Sequence, residues 1–297
     1  MNAADKTTRL SIKNILYATD FSPAAEVALP YVKGLARQYG ATVHGVHVRF
    51  PASYPDADPE ALPEFTKAAQ EQAKIEAELL HEMLADVPHE VSVCAGKFWP
   101  TILDIVRRQS IDLIVIGTRG RTGVGKVLLG SVAEEIFRLA PCPVLTVGPH
   151  ISKDTGRRLK MKEILYAIDF TPESLSALPY ALSLAQENQA RLTVLHVFGE
   201  PEIGELVHPK NYVESTLRQL RELVSTEAKS WCEIDFRVEQ GPAAEKILEV
   251  AVALGADLIV LGVRGAAGHM GSTTHLLRPT AHRIVIQAEC PVLTVRG

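Results

Sequence analysis

The sequence predicts an α/β protein built from two similar domains, each a five-stranded parallel sheet wound on both faces by helices. Three observations support this fold class: the length of 297 residues, an internal repeat, and the alternation of short β-branched runs with longer helical patterns. The length fits two domains that each bury their own core. The apolar runs do not alternate with polar residues, which is typical of strands buried on both faces of a parallel sheet.

The repeat extends over the whole of each half. Residues 15–31 and 164–180 are identical at 11 of 17 positions without a gap. Two further matches pair Asp112-Leu-Ile-Val115 with Asp257-Leu-Ile-Val260, and Cys142–Val147 with the unchanged Cys290–Val295. Matches spread this widely indicate a duplicated domain rather than a shared short motif. We expect the copies at residues 1–149 and 161–297, joined by a polar linker at 150–160.

The first copy is predicted to open with a strand at 14–19. Ser22 and Pro23 then suit the N-cap and first position of a helix that runs to Tyr39 and ends at Gly40. The later elements of the first copy are predicted in this order: strand 42–48, helix 64–86, strand 90–95, helix 100–109, strand 112–116, helix 131–139 and strand 143–147.

The second copy repeats this series. Its strands are predicted near 163–168, 191–198, 234–239, 257–261 and 291–296, with helices between them.

Composition limits the classes of partner. The chain has 31 basic and 35 acidic residues and a net charge of -4, so nothing favours general binding to nucleic acid or to anionic membranes. The first residues lack the apolar core of a secretory signal, and no apolar run is long enough to cross a membrane. Four cysteines without a CxxC pair suggest reduced thiols, and we expect a cytoplasmic protein without a metal site.

A glycine motif follows the fourth strand, at the sheet edge where doubly wound proteins bind ligands. From Gly117 the spacing is G-x2-G-x9-G-S, which places Gly120, Gly130 and Ser131. Gly117 and Gly120 allow positive φ and let the backbone approach a ligand closely. Gly130 and Ser131 stand where the next helix opens, so free N–H groups and the helix dipole favour an anion there.

The side chains around this motif suit a polyphosphate. The Ser131 hydroxyl can cap the helix or donate to a phosphate oxygen, and Arg119, Arg121 and Lys126 add positive charge. Gly120 to Lys126 also resembles a P-loop, but Val127 replaces the Ser or Thr that would hold Mg²⁺. Asp20, at the end of the first strand, is the other unusual residue at this edge.

These segments together resemble the universal stress protein family, in its tandem two-domain form. The resemblance rests on Ile15–Ser22, the strand end at His47-Val48, the glycine motif and the closing Cys-Pro-Val-Leu-Thr-Val strand. It implies an adenine nucleotide alpha hydrolase-like fold with strand order 3-2-1-4-5, and ATP, with or without Mg²⁺, as the ligand. It assigns Asp20 and Val48 to the adenine and ribose end, and Gly117, Gly120, Gly130, Ser131 and Val132 to the ribose and phosphates.

The second copy keeps only part of the motif. Asp169, Val197, Gly262 and Gly265 are retained, but the Gly-Ser pair is replaced. Counted from Gly265, His275 and Leu276 stand in its place. Counted from the closing strand, Arg278 and Pro279 stand there instead, and proline has no N–H to donate. We therefore expect ATP in the first copy alone, and a smaller nucleotide, a different anion or no ligand in the second.

The function predicted on this basis is an ATP-binding regulator or sensor of the stress response, without a catalytic residue. Two alternatives stay open: a slow ATPase or nucleotidyl-transferring enzyme, and an interaction module that no longer uses nucleotide. His47 and His196, at equal positions of the second strands, are interpreted as structural.

The implied strand order leaves residues 143–147 and 291–295 at sheet edges. Because exposed edge strands invite pairing, we expect the two to pair antiparallel within one chain, as an intramolecular pseudo-dimer. A further homodimer of chains stays open.

Overall fold

A computed structural model of the chain describes residues 10–49, 62–118, 130–148, 151, 161–199, 209–264 and 280–297. In the first copy the strands are β1 (Asn14–Ala18), β2 (Thr42–Arg49), β3 (His89–Ala95), β4 (Leu113–Gly117) and β5 (Val144–Val147), and the helices are α1 (Pro23–Glu26), α2 (Leu29–Tyr39), α3 (Leu62–Leu84), α4 (Phe98–Arg108) and α5 (Ser131–Leu139).

The second copy repeats this order with two differences: one helix stands in place of α1 and α2, and one short helix is added before its third strand. Its strands are β6 (Glu163–Ile168), β7 (Arg191–Phe198), β8 (Ile234–Gln240), β9 (Leu258–Val263) and β10 (Val292–Arg296), and its helices are α6 (Pro172–Asn188), α7 (Pro209–Leu223), α8 (Ala228–Trp231), α9 (Ala243–Leu254) and α10 (Thr280–Gln287). No helix in the described ranges is long and apolar enough to span a membrane.

The ten strands form one sheet, in the order β3-β2-β1-β4-β5-β10-β9-β6-β7-β8. Each copy has the predicted order 3-2-1-4-5, with its strands parallel. The expected antiparallel pairing of the two edges is present: β5 and β10 pair with Leu145 opposite Leu293. Because alternate strand residues face opposite sides, the sheet has two core layers, and each layer runs through both copies.

Side-chain contacts at the join follow a pseudo-two-fold axis. The Thr146 hydroxyl donates to the Val292 carbonyl at 3.0 Å, and the equivalent Thr294 hydroxyl donates to the Val144 carbonyl at 3.3 Å. Where α2 and α6 meet, Gln38 binds Asn188, and the equivalent pair is Tyr39 with Glu187. Reciprocal contacts of equivalent residues are the mark of an isologous interface.

The repeated Asp-Leu-Ile-Val segment has a structural explanation at the other end of the strands. One carboxylate oxygen of Asp112 accepts the N–H groups of Lys13 and Asn14, at 2.8 and 3.0 Å. Asp257 does the same for Lys162 and Glu163, at 2.7 and 3.0 Å. Each aspartate therefore satisfies two backbone donors where the first strand of its copy begins.

Two sequence expectations need correction. The single helix predicted from Pro23 to Tyr39 is two helices, α1 and α2, although the equivalent α6 continues unbroken through Pro179, so the shared proline does not explain the break. The linker is not wholly polar surface, since Ile151 is buried in the core.

Candidate functional site

The loop after β1 is shaped by its own short hydrogen bonds. Asp20 accepts the Ser22 N–H at 3.0 Å, and the Ser22 hydroxyl, as N-cap of α1, accepts the Ala25 N–H at 3.1 Å. Between them Phe21 has a φ of +58°, in the left-handed region that few residues with side chains adopt. Asp20 is thus held in a tight turn at the carboxyl end of β1, half-buried, before the first helix turn.

His47, from the neighbouring strand β2, supports this turn. Its Nδ1 lies 2.8 Å from the Thr19 carbonyl and must donate to it, and its ring lies 4.8 Å from the Phe21 ring. In the second copy His196 makes the same contacts, with the Ile168 carbonyl at 2.9 Å and the Phe170 ring at 4.9 Å. The interpretation of both histidines as structural is confirmed. The role of Phe21 in this turn was not predicted from the sequence. The same residue recurs as Phe170, with a φ of +61°, and this recurrence is the sequence signal that could have identified it.

The fourth strand reaches the same sheet edge beside β1, and Gly117 is its last residue, in register with Val147. Gly117 is not among the positive-φ glycines of the described chain, so the freedom in φ that glycine allows is not used at this position. Thr118 then turns the chain: its N–H donates to the Val147 carbonyl at 3.1 Å, and its own carbonyl accepts the Gly130 N–H at 2.9 Å. This buried threonine brings the two ends of the glycine motif together.

Gly130 is the N-cap of α5, and Ser131 is the first helical residue. Because the N-cap is a glycine, the N-cap residue itself offers no side-chain hydrogen bond to the first turn of α5. A helix start whose N-cap residue has no side chain is a favourable place for an anion to accept the N–H groups of the first turn. Arg119 and Gly120 lie outside the described residues.

Val48 and Val132 flank this arrangement on one side of the sheet. Val48 is near the carboxyl end of β2, and Val132 is in the first turn of α5. Both are half-buried and pack against the core layer beneath α4 and α5. The structure therefore brings Asp20, Val48, Gly117 and the start of α5 to one edge, on three adjacent strands.

In the second copy, two of the retained residues, Asp169 and Gly262, have structural roles. The Asp169 carboxylate accepts the N–H and the hydroxyl of Thr171, at 3.1 and 2.5 Å. Burial would raise the pKa of Asp169, but the hydrogen bonds from Thr171 and Ser174 outweigh it and lower the pKa. A Cβ at Gly262 would lie 2.2 Å from the Glu173 carbonyl oxygen, so only glycine fits where α6 meets β9.

These facts change what the retained residues indicate. Gly262 and Asp169 are explained by packing and by their own turn, and neither is evidence for a ligand in the second copy. The residues expected to disrupt its loop, Arg278 and Pro279, lie outside the described residues. Across those parts of the chain that the structure describes, no group of three or more His, Cys, Asp or Glu side chains is placed to hold a metal ion.

Comparison with known proteins assigns both halves of the chain to one family. The model of the universal stress protein family matches residues 11–148 and again residues 160–296. A universal stress protein of Mycolicibacterium smegmatis is 28% identical over 300 residues, covering 95% of this chain and 96% of its own length. A shorter one from Thermus aquaticus is 34% identical over 136 residues, 46% of this chain and 98% of its own.

A solved structure extends the likeness to the fold of both copies together. The crystal structure of a universal stress protein from Archaeoglobus fulgidus superposes with a TM-score of 0.71, at 23% sequence identity. The match covers 97% of this chain and 99% of that one. A likeness at this level of identity concerns the fold.

Proposed function

The chain belongs to the universal stress protein family, and on that premise we propose that its first copy binds ATP as a regulatory ligand. One observation carries the proposal: the end of β4 and the start of α5, where the N-cap is a glycine, lie together beside the Asp20 turn, with the Gly130 N–H bound to the Thr118 carbonyl. Backbone N–H groups and the positive end of the α5 dipole favour the phosphates. The Asp20 carboxylate, fixed by Ser22, can accept hydrogen bonds from the ribose or the adenine amino group.

The proposal assigns roles by position along this edge. Asp20 and Val48 take the adenine and ribose end, while Gly117, Gly130, Ser131 and Val132 take the ribose and phosphates, with Arg119 and Gly120 in the intervening loop. The second copy, with its motif replaced, serves as partner domain rather than as a second ATP site. We propose occupancy of the first copy, rather than turnover, as the signal.

Calorimetric titration of the full chain with ATP tests this assignment, and we expect one site per chain. The duplication supplies a matched pair of variants: Asp20→Ala is expected to weaken ATP binding at least tenfold, a loss of about 1.4 kcal/mol. Asp169→Ala, at the equivalent position, is expected to leave ATP binding unchanged. Absence of binding at millimolar ATP would refute the function, and two equivalent sites would refute the asymmetry.

Hydrolysis of ATP is measured in the same samples. A regulatory ligand requires no turnover, and we expect less than about one per minute, far below the range of about 1–1000 per second typical of enzymes. Turnover above about one per second that Asp20→Ala abolishes would favour an enzyme instead.

A further inference from the structure

The pseudo-two-fold symmetry is broken just beyond the residues of β5 and β10 that pair with each other. Val147 of β5 is equivalent to Val295 of β10, so the residues that follow, Gly148 and Arg296, are equivalent positions with very different side chains. The strands up to this point carry the same sequence and make reciprocal contacts. Because glycine has no side chain, Gly148 cannot make for the second copy the side-chain contact that Arg296 makes for the first.

Arg296 reaches across the join to the phosphate-side helix of the first copy. Its Nη2 donates to the Phe137 carbonyl at 2.7 Å, and Phe137 lies in the last turn of α5. The guanidinium is half-buried, and burial lowers its pKa, as expected for a desolvated cation. A cation that binds a carbonyl in the last turn of a helix satisfies an open acceptor and complements the negative end of the dipole.

The reciprocal contact has no side chain to make it. Gly148 lies at the matching end of the second copy's helix α10, where an added Cβ would be 3.3 Å from the Ala288 carbonyl oxygen. The second copy therefore holds the far end of α5 by a charged side chain, whereas α10 receives nothing equivalent from Gly148. The helix that receives the contact belongs to the copy with the intact glycine motif.

The length of α5 makes this contact important. Nine residues form a helix of about 13 Å, which is too short to be stable by itself and depends on its tertiary contacts. Its first turn follows Gly130, and its last turn is bound by Arg296. A contact at one end therefore stabilises the ordered backbone that the other end presents.

We propose that Arg296 is a positioning residue for the nucleotide site of the first copy, through which the second copy keeps α5 in its phosphate-binding position. This inference rests on the proposed function and adds a role for the second copy. It predicts a specific pattern: loss of Arg296 weakens the interaction with phosphates but not the interaction with the nucleoside.

The test compares ATP with adenosine, which lacks phosphates, in calorimetric titrations of the full chain. Arg296→Gln is expected to weaken ATP binding about tenfold, the value of one hydrogen bond to a charged group, and to leave adenosine affinity unchanged. Hydrogen exchange of the α5 amides is expected to speed up, and Arg296→Lys to restore part of both effects. Arg283→Gln, which removes an ion pair between α10 and Glu245 in the second copy, is the control and should change neither.

Each result decides the question. Equal losses for ATP and adenosine would mean that Arg296 acts through general stability, and would overturn the inference. Faster α5 exchange with unchanged ATP affinity would make the contact structural only, and would also overturn it. If the unmodified chain binds no ATP, the proposed function itself fails. If the unmodified chain binds ATP and Arg296→Gln binds it equally well, only the inference about Arg296 fails.

Discussion

Gly130→Arg, which copies the residue expected at this point in the second copy, separates the fold of the first copy from its function. Gly130 has φ −61° and ψ 148°, an extended conformation open to any residue, so the backbone does not require glycine. Its N–H bond to Thr118 survives the substitution. The change should therefore cost only the lower N-cap preference, about 1 kcal/mol, which corresponds to about 2 °C or less in Tm for a chain of 297 residues.

Binding should respond much more strongly. If phosphates lie against the backbone at Gly130, a long side chain displaces them from two or more charge-assisted hydrogen bonds, each worth about 1.5–3 kcal/mol. We therefore expect ATP affinity to fall at least about 100-fold, because each 1.4 kcal/mol is a factor of ten. Gly130→Ala adds bulk without charge, so its ATP affinity should lie between those of the unmodified chain and of Gly130→Arg. This variant separates steric exclusion from any attraction between the new arginine and the phosphates.

The assay pairs calorimetric titration with thermal unfolding of the same samples. Unchanged ATP affinity in Gly130→Arg would show that the phosphates do not bind here. A loss of more than about 10 °C in Tm, well beyond the capping cost, would mean that the glycine is required by packing instead.

Two further predictions concern the frame around the site. Gly262→Ala should lower the free energy of unfolding, measured by chemical denaturation, by at least about 2 kcal/mol, because its Cβ meets backbone atoms of Glu173. Gly255→Ala is the control: its Cβ meets open space but its φ is +62°, so it should cost only about 1–2 kcal/mol. Equal costs for the two variants would contradict the close approach at Gly262. Thr146→Val and Thr294→Val should each cost about 1 kcal/mol, since each removes one of two equivalent hydrogen bonds. A clear inequality between the two threonines would contradict the symmetry of the join.

Much of the fold was predictable because duplication displays every element twice. The strands of both copies and their order agree with the structure to within a residue or two, as does the pairing of the final strands. The break between α1 and α2 was not predictable, because Pro30 and Pro179 are equivalent and only one copy has the break.

The sequence predicted which positions lie together at the candidate site, but not the conformation or the contacts of each residue there. Gly130 and Ser131 do stand at the start of α5, yet Gly117 is an ordinary strand residue, and its equivalent Gly262 is required by packing. A glycine in a sequence does not reveal whether its free space is used by a ligand or by a neighbouring helix. Thr118 and Arg296 act through hydrogen bonds with distant parts of the chain, which no local pattern reveals.

The covalent link between the copies changes which substitutions the join can accept. In a homodimer every mutation appears on both sides of the axis, so an arginine at one strand end would be imposed on the other, including the end where Gly148 lies against Ala288. Fusion removes this constraint, and each side can vary separately. It also makes the pairing of β5 with β10 independent of protein concentration, because both strands belong to one molecule. One copy can then change the sequence of its glycine motif while it remains a permanent partner of the other.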